Sequence, residues 1–182
     1  ISNVDPAKSN DICFTTEAFC SLCAETALPA TDVVEYIERA VDFANDTLWG
    51  TLNATIIVHP QSLKDPAIAA AIDRALARLR YGTIGLNYWA GTSFVLGETT
   101  WGAFPGHDIY DIQSGVGVVH NTLMFDQPQK SVLRGPFRSV PKPPVFPSQA
   151  GAARKLYPKL VDFEARPNIM KLPGIIRAAF GG

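Results

Sequence analysis

The chain has 182 residues, 47% of them apolar, 18% charged and 10% aromatic. This is one domain, or one and a half at most, long enough to bury about 70% of its unfolded surface. The composition excludes wholesale disorder and collagen-like repeats, and no run of about 18 apolar residues or signal-peptide pattern appears. The net charge is −1, but residues 1–140 carry nine Lys/Arg against fifteen Asp/Glu, and residues 141–182 carry seven against two. The basic tail shows no sustained alternation of aromatic and basic residues, so the expectation is a tail that packs on protein, with no nucleic acid and no membrane as partner.

Taken in order, Ala18 to Ala24 is a short apolar run that predicts a strand, ended by Pro29. Asp32 is an N-cap candidate with Glu35 three residues on. Val33, Ile37, Ala40, Val41 and Ala44 then recur at helical spacing until Asn45-Asp46 and Gly50. Leu52 to His59 predicts a second strand, apolar on both faces at Ile56-Ile57-Val58 and therefore buried and parallel. Asp65-Pro66 opens a second helix, with Ile68, Ile72, Ala75, Leu76 and Leu79 inward, cationic Arg78 and Arg80 at its end and Gly82 as the stop. Thr83 to Tyr88 predicts a third strand.

Strand, helix, strand, helix, strand predicts an α/β fold: a parallel sheet with helices on both faces. Residues 89–117 are rich in Gly, Trp and Thr and predict a long ordered loop. Val118–Phe125 and Lys130–Val132 predict short edge strands, Pro141–Pro147 a Pro-rich stretch, and Gln149–Lys159 a helix. The expected organisation is a domain over 1–140 and a Pro-rich basic arm over 141–182.

Direct searches for chemistry return little. No G-x-S-x-G and no Walker loop occurs, and His59, His107 and His120 have no zinc spacing. No metal site is expected. Cys20-Ser21-Leu22-Cys23 is a C-x-x-C, but on a predicted strand its thiols point to opposite faces. Three cysteines in all fit a reducing compartment, which places the chain in the cytoplasm.

An ordered set of short motifs carries more. Glu17-Ala18-Phe19 is followed by Ala44-Asn45-Asp46-Thr47-Leu48-Trp49-Gly50. Then come Gly82-Thr83-Ile84-Gly85-Leu86-Asn87, Thr100-Trp101-Gly102-Ala103 and Ser114-Gly115-Val116-Gly117. In that order and at those intervals the chain resembles the C-terminal, catalytic-domain part of the aldehyde dehydrogenase superfamily, whose pattern runs E-x-F-G-P, A-N-x-x-x-x-G-L, G-x-v-x-v-N, P-F-G-G and S-G-x-G. The resemblance covers about residues 1–125. It departs at Cys20-Ser21, at the Thr100–Ala103 turn and in the tail, as a divergent member would.

The resemblance implies oxidation of a small aldehyde to a carboxylic acid with NAD or NADP. In that family a thiolate attacks the carbonyl, hydride leaves to the nicotinamide, and water activated by a glutamate releases the acyl group. By the same alignment the nucleophile, the base and the cofactor domain lie upstream of Glu17 by more residues than this chain holds. The implied identity is a C-terminal fragment of a longer enzyme that does not turn over alone, with the rest of the parent chain as partner and no catalytic residue of its own. Cys13, Cys20 and Cys23 match no nucleophile position.

Glu17 matches the carboxylate that accepts hydrogen bonds from the nicotinamide ribose hydroxyls, and Phe19 the aromatic beside the nicotinamide. Trp101 matches the aromatic lining the aldehyde tunnel, joined by Phe94 and Trp89. The plain alternatives are a solvated turn acid for Glu17 and core packing for Phe19 and Trp101. Asn87 is expected to fix a loop, and Gly115 and Gly117 to serve backbone turns. Two rival functions stand beside this: a non-catalytic interaction or oligomerisation domain on the same half-fold, and an unrelated α/β enzyme working through Glu17, Asp108 or His107. Surface left uncovered by a missing portion predicts a homo-oligomer.

Overall fold

Four α-helices and five short strands make up the first of two compact units, Ile1–Phe137 and Arg138–Gly182, in a computed structural model that describes residues 1–138 and 150–180. The long helix α2, Val33–Asp46, follows a one-turn helix α1, Ile12–Thr15. Asp32 caps α2 by accepting from the Glu35 N–H at 2.9 Å, and Glu35 reaches back to the Thr31 N–H at 2.7 Å, one residue further than a standard capping box. Strand β1, Asn53–Ile56, leads through a 3₁₀ turn to α3, Pro66–Arg78, whose cap Asp65 accepts from Ala67 N–H at 2.8 Å. Strand β2, Thr83–Leu86, comes next. A short helix α4, Thr92–Leu96, the two-residue strands β3, Trp101–Gly102, and β4, Val118–Val119, and finally β5, Ser131–Arg134, complete the unit.

The main sheet is parallel throughout in the order β1-β2-β5, with Ala54 beside Ile84 and Ile84 beside Val132. The α/β expectation holds at that level, with three corrections. Residues 18–24 form no strand: they have no extended neighbour, and only residues 23–26 are tied, by single bonds such as Val4 N–H to Glu25 O at 2.9 Å, to residues 1–4. The third parallel strand is instead β5, which overlaps the short edge strand expected at Lys130–Val132 and is reached across a 44-residue connection. The helices also do not sit on both faces. Val41 of α2 and Ile72, Ala75 and Leu76 of α3 share one core with Ile84 and Leu86, so both helices cover the same face. The other face is covered by the irregular connection: the Thr55 hydroxyl accepts from Ala90 N–H at 3.2 Å, and the Thr100 and Ser131 hydroxyls meet at 2.7 Å.

The stripes on α2 and α3 face the core as expected except at Val33, which is exposed. Asn45 locks the two helices together. It accepts from Arg80 N–H at 2.8 Å and donates to the Arg78 carbonyl at 3.0 Å. Lys130, just before β5, donates to the Leu76, Ala77 and Leu79 carbonyls at 2.7–3.0 Å, closing the otherwise open end of α3.

In the second unit α5, Ala150–Ala165, packs on α6, Leu172–Phe180, and Lys171 bridges the turn between them through the Asp162 and Arg166 carbonyls. The expected helix from 149 is therefore present and longer. Pro141–Pro147 and Gln149 lie outside the described residues. No helix among the described residues is long and apolar enough to cross a membrane.

Candidate functional site

The motif segments that are far apart in sequence meet in the fold. Gly82 lies so close to Gly102 that a Cβ on it would overlap the Gly102 carbonyl oxygen, and a Cβ on Gly102 would overlap the Gly117 carbonyl oxygen. Only glycine allows three backbones to approach in this way. The turn that delivers Gly117 needs left-handed backbone, φ +135° at Gly115 and +80° at Gly117, so these two are turn residues as expected. The same turn carries Ser114, whose hydroxyl accepts from Thr51 N–H at 2.8 Å and lies 3.4 Å from where a Cβ on Gly50 would stand. Asn87, φ +56°, uses its side-chain oxygen to accept from Val58 N–H at 2.8 Å, so it extends the ladder between the strands and fixes the loop start.

Around Gly50 and Ser114 opens a cavity of about 890 Å³, into which Glu17, Phe19, Trp49, Asn53 and Gln113 also reach. Buried Phe14 forms its floor, held edge-on against Phe43 of α2 with centroids 5.1 Å apart. Two features mark this cavity. Among the described residues no hydrogen bond or ion pair engages the Glu17 carboxylate. Phe19 is 91% exposed and sits at φ +48°, a costly conformation for an aromatic residue.

The other three predicted residues lie elsewhere. Phe94 of α4 packs edge-on to Trp101 at 5.9 Å between centroids, and the His120 ring, φ +63°, lies 5.0 Å from Phe94. Trp89 lies over Gly91, where a Cβ would meet its ring. None of Trp89, Phe94 and Trp101 lines the Glu17 cavity. Sequence reasoning missed Trp49, Ser114 and Asn53 as cavity partners and His120 as a partner of Phe94. The Gly50 and Ser-Gly motifs were the available signal for the first two, and nothing local marks the others.

Neither Asp108 nor His107 lines the Glu17 cavity. Asp108 is consumed by an Asx turn, accepting from Tyr110 and Asp111 N–H at 2.8 and 3.0 Å, and His107 pairs with the Thr51 hydroxyl at 3.0 Å. The opposite-face argument about Cys20 and Cys23 falls with the strand it assumed: both thiols, with Cys13, line one side cavity of about 450 Å³ and are unpaired. Desolvation, with the Asp11 carboxylate beside it, pushes the Cys13 thiol up, which keeps it protonated and a poor nucleophile. Among the described residues no three His, Cys, Asp or Glu side chains are placed to hold a metal ion. Comparison with family models, with curated proteins and with solved structures gives no match to the chain.

Proposed function

We propose that these 182 residues are the C-terminal, catalytic-domain portion of an NAD(P)-dependent enzyme similar to the aldehyde dehydrogenases, oxidising a small aldehyde to a carboxylic acid. One observation carries the reading: motif segments far apart in sequence meet at Gly50–Ser114 and at Gly82–Gly102–Gly117, and three of the five, through Glu17 and Phe19, Leu48–Gly50 and Ser114, line one cavity.

The residues present fit a nicotinamide nucleotide. A carboxylate with no partner of its own is an acceptor for a ribose diol, and an exposed flat ring restricts a nicotinamide placed against it. The cavity volume lies within the range of small-molecule sites. When bound, NAD or NADP accepts the hydride from the aldehyde carbon. Glu17 holds the ribose and Phe19 limits rotation of the ring; Trp89, Phe94 and Trp101 lie outside this cavity, and the reading gives them no contact with an aldehyde held in it. The reading assigns the nucleophilic thiolate, the base and most of the cofactor's binding surface to the rest of the parent chain. Three unpaired thiols favour the cytoplasm.

The purified chain is expected to form no NADH or NADPH from aldehyde. On titration with nicotinamide mononucleotide, its NMR resonances from Glu17, Phe19 and Trp49 are expected to shift first. Robust turnover by the chain alone, or shifts confined to other residues, overturns the proposal.

A further inference from the structure

Cys20 and Cys23 lie outside any helix or strand, and both thiols are exposed and unpaired. On a straight extended chain, positions i and i+3 stand about 10 Å apart. A disulfide needs its Cα atoms within about 4.4–6.8 Å of each other. The chain does not run straight here. Phe19, at φ +48°, turns it just before the pair, and it bends again at Cys20 and Ser21. Both cysteines border one cavity of about 450 Å³, which Ile12, Cys13, Thr16 and Glu17 also line.

Little holds the two cysteines apart. Among the described residues no hydrogen bond engages the backbone of Cys20, Ser21 or Leu22, so its torsions adjust at small cost. Cys23 stands at the start of a tied segment, where Glu25 N–H donates to the Ile1 carbonyl at 2.8 Å and Val4 N–H to the Glu25 carbonyl at 2.9 Å. One thiol is therefore carried beside anchored backbone and the other on an untied bend. Cys13 competes poorly with them. It lies on α1, half-buried, and desolvation with the Asp11 carboxylate beside it keeps its thiol protonated.

We propose that Cys20 and Cys23 are a reversible dithiol–disulfide pair, closed by a low-molecular-weight disulfide such as glutathione disulfide, and that closure shifts the wall shared with the Glu17 cavity. Cys13, Thr16 and Glu17 line both cavities, so a change on one side of that wall is felt on the other. The chemistry is ordinary exchange. One protein thiolate attacks a sulfur of glutathione disulfide, a mixed disulfide forms and one glutathione thiolate leaves. The second protein thiolate attacks the protein sulfur of that mixed disulfide, the Cys20–Cys23 bond forms and the second glutathione leaves. The protein gives up two electrons and two protons, and the glutathione disulfide takes both. In a reducing compartment the pair rests open and closes when the glutathione pool is oxidised. This inference does not rest on the aldehyde dehydrogenase reading.

Incubation of the reduced 182-residue chain with glutathione disulfide, followed by alkylation and mass mapping, tests it. Two of the three thiols are expected to escape alkylation with no glutathione added, and the mapped crosslink joins Cys20 to Cys23. Dithiothreitol restores all three. Cys13→Ser closes as the unmodified chain does, whereas Cys20→Ser leaves Cys23 carrying glutathione and Cys23→Ser leaves Cys20 carrying it. The NMR resonances of Thr16 and Glu17 are expected to shift on closure and to return on reduction. Should a variant not fold, the map of the unmodified chain decides by itself. Thiols that stay free, stable glutathione on both Cys20 and Cys23, a crosslink through Cys13 or between copies, or Thr16 and Glu17 resonances indifferent to closure overturn the proposal.

Discussion

The β1-α3-β2 core and the 44-residue connection that follows β2 obey different rules. All four residues of β2 are buried, and its Ile84 is completely so. The connection instead exposes Tyr110, Leu123 and Met124 and places Asn87, Gln113, His120 and Met124 at positive φ. The core uses side chains where burial rewards them. The connection carries strained backbone and exposed aromatics that folding alone does not reward, which is the pattern of a surface shaped for contact.

The largest expected effect breaks the core. Ile84→Ala empties the centre of the sheet and is expected to cost about 3 kcal/mol in denaturant unfolding. Tyr110→Ala, the corresponding loss of a large side chain in the connection, where Tyr110 is exposed, is expected to stay within about 0.5 kcal/mol. Equal losses would erase the distinction between the two regions. Next comes the seam where they join. Gly82→Ala forces a methyl into the Gly102 carbonyl and is expected to cost about 2 kcal/mol, because the seam and β2 must part together.

A smaller effect is expected at low pH. The Thr31 hydroxyl and N–H, with Arg39, hold the Glu35 carboxyl down to about 2, against an ordinary 4.5. A carboxylate with a lowered folded value stabilises above its unfolded value and loses that contribution as pH falls through the folded one. The stability advantage of the wild type over Glu35→Gln is therefore expected to be full at neutral pH and to vanish between about 4.5 and about 2. An advantage independent of pH would mean that the carboxylate's charge plays no part at the start of α2.

What was legible in the sequence follows the same division. Asp32 with its stripe and Asp65-Pro66 with its stripe announced α2 and α3, because cap and periodicity are written within a few residues. β1 and β2 were legible from apolar runs between turn signals. Ala18–Ala24 has the same kind of run, yet a strand needs a neighbour, and that stretch has none. β5 could not be assigned to the parallel sheet from its own residues, since its partner lies 44 residues back. Glu17 and Phe19 were legible only through the family resemblance. Their cavity partners Trp49 and Ser114 depend on long-range packing that spacing does not encode. The pairing of Phe94 with Trp101 was expected, but its distance from the Glu17 cavity was not.

The most direct test measures how tightly nicotinamide mononucleotide binds the chain and its Glu17→Gln variant. A ribose diol donating to the Glu17 carboxylate predicts an affinity about tenfold or more weaker in the variant, whose fold is unchanged. Equal affinities in the two proteins would contradict it.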